Sequence, residues 1–252
     1  MKYKRPIVLS IAGFDPTGGA GVLADVKTYE QHGCLGMGVL TANTVQTETN
    51  FISVNWLDKQ AIMDQLGPIL DTYEVAAVKI GIIENLDVLS DLLKLIKTKF
   101  PSIPVVWDPV LSASSGFELH VDWNEESLNQ LLEMIDLITP NVPEIQRITR
   151  VEDEIEAAFH LAKETGVLLN GGHSSERLGL DLLFEGGVQR EIPSKLNPAN
   201  CFPKHGSGCI LSAAIASNLA LGKPLFEACQ GAKKYIEKRL SSNEYLLAYH
   251  VE

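Results

Sequence analysis

The chain has 252 residues, 45% hydrophobic and 21% charged, an ordinary balance for a globular protein with a large core. Lysine and arginine number 21 against 32 aspartates and glutamates, and the net charge of −11 argues against nucleic-acid or anionic-membrane partners, though not against a small anionic ligand. Cys34, Cys201, Cys209 and Cys229 show no C-x-x-C spacing and no metal pattern with the histidines, and the first apolar run, Ile7–Ile11 with Ser10 inside it, is short for a signal peptide, so a reducing cytoplasmic compartment is expected.

Ile7–Ala12, between Pro6 and Gly13, reads as a buried strand. The glycine-rich Gly13–Gly21 loop then leads into a helix over Val22–His32, stopped by Gly33. Gly36–Ala42 is a second strand, and the polar segment Asn43–Thr49 after it reads as a loop. Asp58 caps a helix reaching Asp71, with Pro68 bending its end. Val75–Ile83 and Ile103–Leu111 are continuous apolar strands flanking an amphipathic helix, Val88–Phe100. Ile135–Thr139 and Val167–Leu169 are further strands, with a helical stretch from Val142 to Thr165 between them. Leu182–Phe184 and Val188–Ile192 form an antiparallel hairpin through Glu185-Gly186-Gly187. Two helices, Ser207–Leu221 and Leu225–Leu240, close the pattern. Strands without alternation, each followed by a helix, predict one α/β domain over residues 1–252, its mostly parallel sheet covered on both faces in three layers. Ligands of such sheets sit at the carboxyl ends of strands.

The candidate chemistry gathers in the loops that follow those strands. Gly206-Ser207-Gly208-Cys209 opens a helix of small residues, so bare backbone N–H groups at a positive helix end form an anion cradle. The same dipole is expected to lower the pKa of the Cys209 thiol. Gly13–Gly21 lacks the lysine of a P-loop, and its alternative use is close approach of a substrate to the backbone. Asp25 is either an ordinary first-turn acid or a carboxylate facing a polar substrate edge. Gln46 can donate and accept at once to a heteroaromatic ring. Asp108, before Pro109, suits a turn or a metal–phosphate site. Asn141 and Glu144 fit a capping box, and also fit ligands that hold water around Mg²⁺. Asn170-Gly171-Gly172-His173 ends a strand where a nucleotide could approach the backbone.

As an ordered set these segments resemble the hydroxymethylpyrimidine/phosphomethylpyrimidine kinases of thiamine biosynthesis, in the ribokinase-like superfamily. The matching pieces are Ile11 through Gly21 with Asp25, Val45-Gln46-Thr47, Val78-Lys79-Ile80-Gly81, Asp108-Pro109-Val110, Thr139-Pro140-Asn141 with Glu144, Gly171-Gly172-His173 and His205 through Cys209. The resemblance implies ATP- and Mg²⁺-dependent phosphorylation of the hydroxymethyl group of a 4-aminopyrimidine. It places Gly13, Ala20, Asp25, Gln46 and Val110 around the pyrimidine. Asp108, Asn141 and Glu144 would serve phosphates and metal, Asp108 and Glu144 holding Mg²⁺ through water. Gly206, Ser207 and Gly208 would form the anion hole and Cys209 the base. Relatives usually carry lysine before Gly-Gly-His, facing nucleotide phosphate; here that residue is Asn170, with Lys204 or Lys79 as a replacement cation. Relatives are commonly dimers, which implies a homodimer. The alternatives are a pyridoxal kinase of the cysteine-bearing type, disfavoured because Leu111–Gly116 contains no cysteine, and a non-catalytic pyrimidine-binding protein.

Overall fold

The computed structural model describes residues 3–111, 125–171, 179–197 and 200–251, with the side chains of 125 and 126 excepted. Gly172, His173 and residues 112–116, singled out above, lie outside the described residues.

Among the described residues, nine strands form one sheet, built around β1 (Ile7–Phe14), with β2 (Leu35–Gln46) and β3 (Phe51–Trp56) on one side. On its other side β4 (Val75–Ile80), β5 (Val105–Trp107), β6 (Leu137–Ile138), β7 (Gly166–Leu169), β8 (Asp181–Glu185) and β9 (Val188–Ile192) follow in order. Pairing is parallel from β2 through β7, and antiparallel for β2–β3, β7–β8 and β8–β9. The chain leaves β1 toward β2 and later returns to its other edge as β4, so the strand order reverses at β1. Loops diverge at such a point and leave a crevice at the carboxyl ends.

Successive residues of each inner strand face opposite layers. Leu9, Val78, Val105, Ile138 and Val167 pack under α2 (Lys59–Thr72), α3 (Leu86–Lys99), α4 (Glu125–Leu132), α5 (Val142–Thr149) and α6 (Glu154–Leu161). Val8, Ala77, Val106, Leu137 and Leu168 pack under α1 (Gly21–Gln31), α7 (Ser207–Ala220) and α8 (Leu225–Leu240). Burial on both faces explains the unbroken apolar runs in the sequence, and each such side chain contributes about 1.5–3 kcal/mol relative to exposure. Helix α7 is apolar nearly all round, with Ile210 through Asn218 buried. Its alanines let α1, α8 and the sheet approach closely, which fixes its N-terminus at the crevice.

The helix caps at Asp58 and Asn141 form as the sequence implies, Asp58 accepting from the Ala61 N–H. Two expected strands are shorter, Val75–Ile83 ending at Ile80 and Ile103–Leu111 reduced to Val105–Trp107 before Asp108-Pro109, and three further segments differ in kind. The expected loop after residue 42 is strand to Gln46, because Thr44 and Val45 pair with Val54 and Ser53 of β3, a strand that the sequence reading missed. The stretch 142–165 is two helices: Arg150 turns left-handed at φ 59°, and Asp153 caps the second helix on Ile155 and Glu156 N–H. Helix α4 has no counterpart among the expected elements.

Candidate active site

A cavity of about 1320 Å³ opens at the carboxyl ends of the strands. It is larger than a single-ligand pocket, which runs to about 1,000 Å³. Gly13, Ala20, Gln46, Asp108, Val110, Asn141, Glu144, Asn170, Lys204, Gly206, Ser207, Gly208 and Cys209 all line it. Residues from six separate segments at the strand ends therefore meet in one place. Asp25 is the site residue that does not line it.

The turn before α7 is built on close backbone approach. Gly206 has φ 72°, and a β-carbon there would fall on the Gly19 carbonyl oxygen and against Ala20. The anion cradle is thus packed directly on the Gly18-Gly19-Ala20 loop, and only glycine fits both the conformation and the space. Ser207 N–H reaches back to the Lys204 carbonyl at 3.3 Å. The next N–H groups, at Gly208 and Cys209, belong to the first helical turn and lack intrahelical acceptors. Replacing Gly206 by alanine is expected to lower stability by about 1–3 kcal/mol, from the left-handed backbone alone. Thermal unfolding of the variant checks this; an unchanged melting temperature would overturn the strain assigned to the left-handed Gly206.

Cys209 is partly exposed, into the cavity. The expectation of a lowered thiol pKa is overturned. Burial pushes it up to about 12; Lys79 opposes this, Asp108 and Asp25 add to it, and a hydrogen bond from the Gly21 N–H opposes it. Desolvation outweighs the helix dipole here, so the resting group is a neutral thiol.

Asp108 follows β5 and is buried, accepting from Ser212 Oγ at 3.1 Å. Asn141 and Glu144 form a reciprocal capping box at 2.9 Å in both directions. Burial and then the Asp108 charge raise Glu144 to about 8. Two carboxylates that repel each other inside a cavity wall suit a divalent cation. Among the described residues no cluster of three or more His, Cys, Asp or Glu forms a metal cage. The donor set therefore fits Mg²⁺ that keeps several waters. Asn170 joins this wall from β7: its Nδ2 donates to the Thr139 carbonyl at 3.0 Å, and its Oδ1 and Thr139 Oγ1 are buried without partners.

Two expected assignments are corrected. Asp25 lies beneath the cavity floor, fully buried, accepting from Lys79 Nζ at 2.9 and 3.2 Å and from Ser10 Oγ. It faces Lys79 instead of substrate because α1 turns Ala24, Asp25, Thr28 and Tyr29 inward together. Lys204 cannot act as a free phosphate cation, since its ammonium already donates to Asn243 O, Asn243 Oδ1 and Tyr245 O. Lys79 also lines the cavity, with its ammonium on Asp25. Burial alone would lower its pKa, but the Asp25 carboxylate, with Asp108 beyond it, holds it above the ordinary lysine value.

Asp15, within the glycine-rich segment, has a role that the motif alone does not assign. Its carboxylate collects the Thr17 and Ala20 N–H groups, Thr17 Oγ1 and His205 Nε2, tying the glycine loop to the α7 turn. The Asp-Pro-Thr sequence, with an N–H two residues on, was a readable signal of such a turn. Burial would raise this carboxyl, but His205, Thr17 and Ala20 hold it below the usual range. A lowered folded pKa gives stability that is present above about pH 3.9 and lost as pH falls through the folded value. Asp15→Asn is expected to cost about 1–3 kcal/mol at pH 7. The gap from the parent should close below about pH 3.9 in urea unfolding; a gap independent of pH would assign the loss to packing.

Comparison with known proteins identifies the family and the fold. The phosphomethylpyrimidine kinase family model covers residues 15–251. The hydroxymethylpyrimidine/phosphomethylpyrimidine kinase of Staphylococcus aureus (strain MRSA252) is 36% identical over 244 residues, 92% of this chain and 87% of that one. The crystal structure of phosphomethylpyrimidine kinase from Clostridium difficile 630 aligns with a TM-score of 0.76 at 31% identity, covering 92% and 98% of the two chains. An ADP complex of Bacillus subtilis pyridoxal kinase aligns with a TM-score of 0.81 at 30% identity and 96% coverage of each. With the reversed strand order at β1 and a glycine-built anion turn beside a paired carboxylate wall, the chain belongs to the phosphomethylpyrimidine kinase family and is a kinase of ribokinase-like α/β fold.

Proposed function

We propose that the chain transfers a phosphoryl group from ATP to the hydroxymethyl group of 4-amino-5-hydroxymethyl-2-methylpyrimidine, a step of thiamine biosynthesis. The observation that carries this reading is that Gln46, the Gly206–Cys209 turn and the Asp108–Glu144 pair share one cavity. Gln46 lies on the β2 side, where its Nε2 donates to Thr44 Oγ1 and its amide can pair with a ring nitrogen and an exocyclic amine. Gly13, Ala20 and Val110 give that ring an uncharged surround. Asp108 and Glu144 would hold Mg²⁺ through water, and the ion would offset charge on the transferring phosphoryl group. The N–H groups of the α7 start stabilise the same charge without reorganising. Cys209 faces the acceptor hydroxyl; its thiol first loses a proton to solvent, and the small thiolate fraction then takes the hydroxyl proton late, as a loose transition state requires little deprotonation beforehand.

The experiment is a parallel assay of the hydroxymethylpyrimidine, its monophosphate and pyridoxal with Mg·ATP. Turnover of the pyrimidine supports the proposal, and the monophosphate arm tells whether a second phosphoryl group follows. The similarity to the B. subtilis pyridoxal kinase makes pyridoxal the second reading. Turnover of pyridoxal alone would overturn the first, and binding of pyrimidine without ATP binding would mark a non-catalytic binder. The proposal extends to a cytoplasmic homodimer, which sedimentation tests for the oligomer. No described helix is long and apolar enough to cross a membrane.

Asn170 provides a separate check on where the nucleotide lies. A lysine there would replace the amide and its unpartnered Oδ1, and would carry an ammonium into the wall beside the unpartnered Thr139 Oγ1. Asn170→Lys is expected to lower the KM for ATP about tenfold, the order of one charge-assisted hydrogen bond. An unchanged KM would place the phosphates elsewhere in the cavity.

A further inference from the structure

Residues 241–251 carry neither helix nor strand, yet they run back from the end of α8 to the mouth of the active-site turn. Asn243 is the hub of this strap. Its Oδ1 accepts from Lys204 Nζ at 3.1 Å and from the Tyr245 N–H at 2.8 Å. Its Nδ2 donates to the Leu247 carbonyl at 3.0 Å, and its own carbonyl accepts from Lys204. One residue on from Lys204, the His205 N–H donates to the Leu246 carbonyl at 2.9 Å. The Leu247 side chain lies so close to Gly19 that a β-carbon on that glycine would sit 2.8 Å from it.

Lys204 therefore holds two things at once. Its ammonium is saturated by three neutral oxygens of the strap, and its carbonyl receives the Ser207 N–H at the start of α7. His205, fixed by the strap through its N–H, in turn reaches Asp15 at 2.9 Å and so the glycine loop. Asn243 itself does not line the cavity, although Lys204 and His205 do.

We propose that Asn243 and Lys204 are positioning residues for phosphoryl transfer, a clasp by which the strap fixes the Gly206–Cys209 turn against the glycine loop. Ammonium donors on neutral oxygens, all from one short segment, give the turn a rigid external support that the left-handed Gly206 cannot give itself. The charge of Lys204 is spent on the strap and not on nucleotide. This inference rests on the proposed phosphoryl transfer for its rate effect, and on geometry alone for its effect on the turn.

The test pairs hydrogen exchange with kinetics in the full chain, using Asn243→Ala and Asn243→Asp. In Asn243→Ala, amide exchange over residues 204–210 is expected to rise at least about tenfold while that of the inner strands stays unchanged, reflecting local opening. Its kcat should fall about tenfold, with the KM for pyrimidine within about twofold, as small misplacement of a catalytic element produces. Asn243→Asp keeps an oxygen for Lys204 and should recover most of the rate. Unchanged exchange at 204–210, or faster exchange with unchanged kcat, would overturn the clasp as a positioning device. A rate lower in Asn243→Asp than in Asn243→Ala, with exchange at 204–210 as slow as in the parent, would also overturn it, since the turn would then be held while a cation acting on phosphate is neutralised. A parent protein with no pyrimidine turnover would overturn the proposed function, and the exchange measurement would still decide whether the strap holds the turn.

Discussion

Cys209→Ala is expected to lower kcat by about 10²–10⁴-fold, the usual contribution of a positioned acid–base group. The KM for pyrimidine should stay within about threefold, because the ring contacts assigned to Gln46 and Val110 do not involve the thiol. The resting thiol is neutral, pushed up to about 12 by burial, with Lys79 the opposing charge. A raised pKa means that the thiolate fraction grows with pH across the whole neutral range. The rate of the parent enzyme should therefore climb from pH 6 to 9 without levelling near about 8.5, where an ordinary cysteine would titrate. Cys209→Ser separates two functions: an orienting hydrogen bond would survive in serine, whereas proton abstraction would be lost as fully as in alanine. Parent-like rates in Cys209→Ala would remove the thiol from the reaction.

The reading of the sequence succeeded where one local rule governed one local feature. The glycines before α7, the caps at Asp58 and Asn141, and the apolar runs of the inner strands each carry their structural instruction within a few residues. It failed where the partner lies far along the chain. Lys204 looked like a free cation because its acceptors, Asn243 and Tyr245, are 39 and 41 residues away in a segment without periodicity. Cys209 looked activated because a helix start is visible in sequence, while the desolvation that outweighs it comes from the folded interior. Strand β3 was missed since polar Thr44, Thr47 and Thr49 hid the pairing of the β2 end. Asp25 is readable from Lys79: this lysine is the next-to-last residue of the otherwise apolar strand Val75–Ile80, and a buried ammonium requires a carboxylate from somewhere.

That pair carries the largest expected effect on stability. Lys79 and Asp25 are both fully buried, and Ser10 Oγ is the other side-chain group bonded to the carboxylate. Removing the ammonium strands a negative charge beneath the sheet's central helix, so Lys79→Met is expected to cost about 3–5 kcal/mol. Urea unfolding at pH 7 measures it, and a loss below about 1 kcal/mol would mean that water reaches the site. Exposed pairs such as Arg5–Glu30 offer the contrast, since solvent already screens both charges. The double variant Lys79→Met/Asp25→Leu removes the stranded charge, and its stability should return most of the way to the parent value. Its kcat should not return. The ammonium lowers the pKa of both Cys209 and Asp108, and methionine cannot replace that field. Recovery of stability without recovery of rate would establish that the buried pair serves the chemistry above it, whereas recovery of both would reduce Lys79 to a structural countercharge for Asp25.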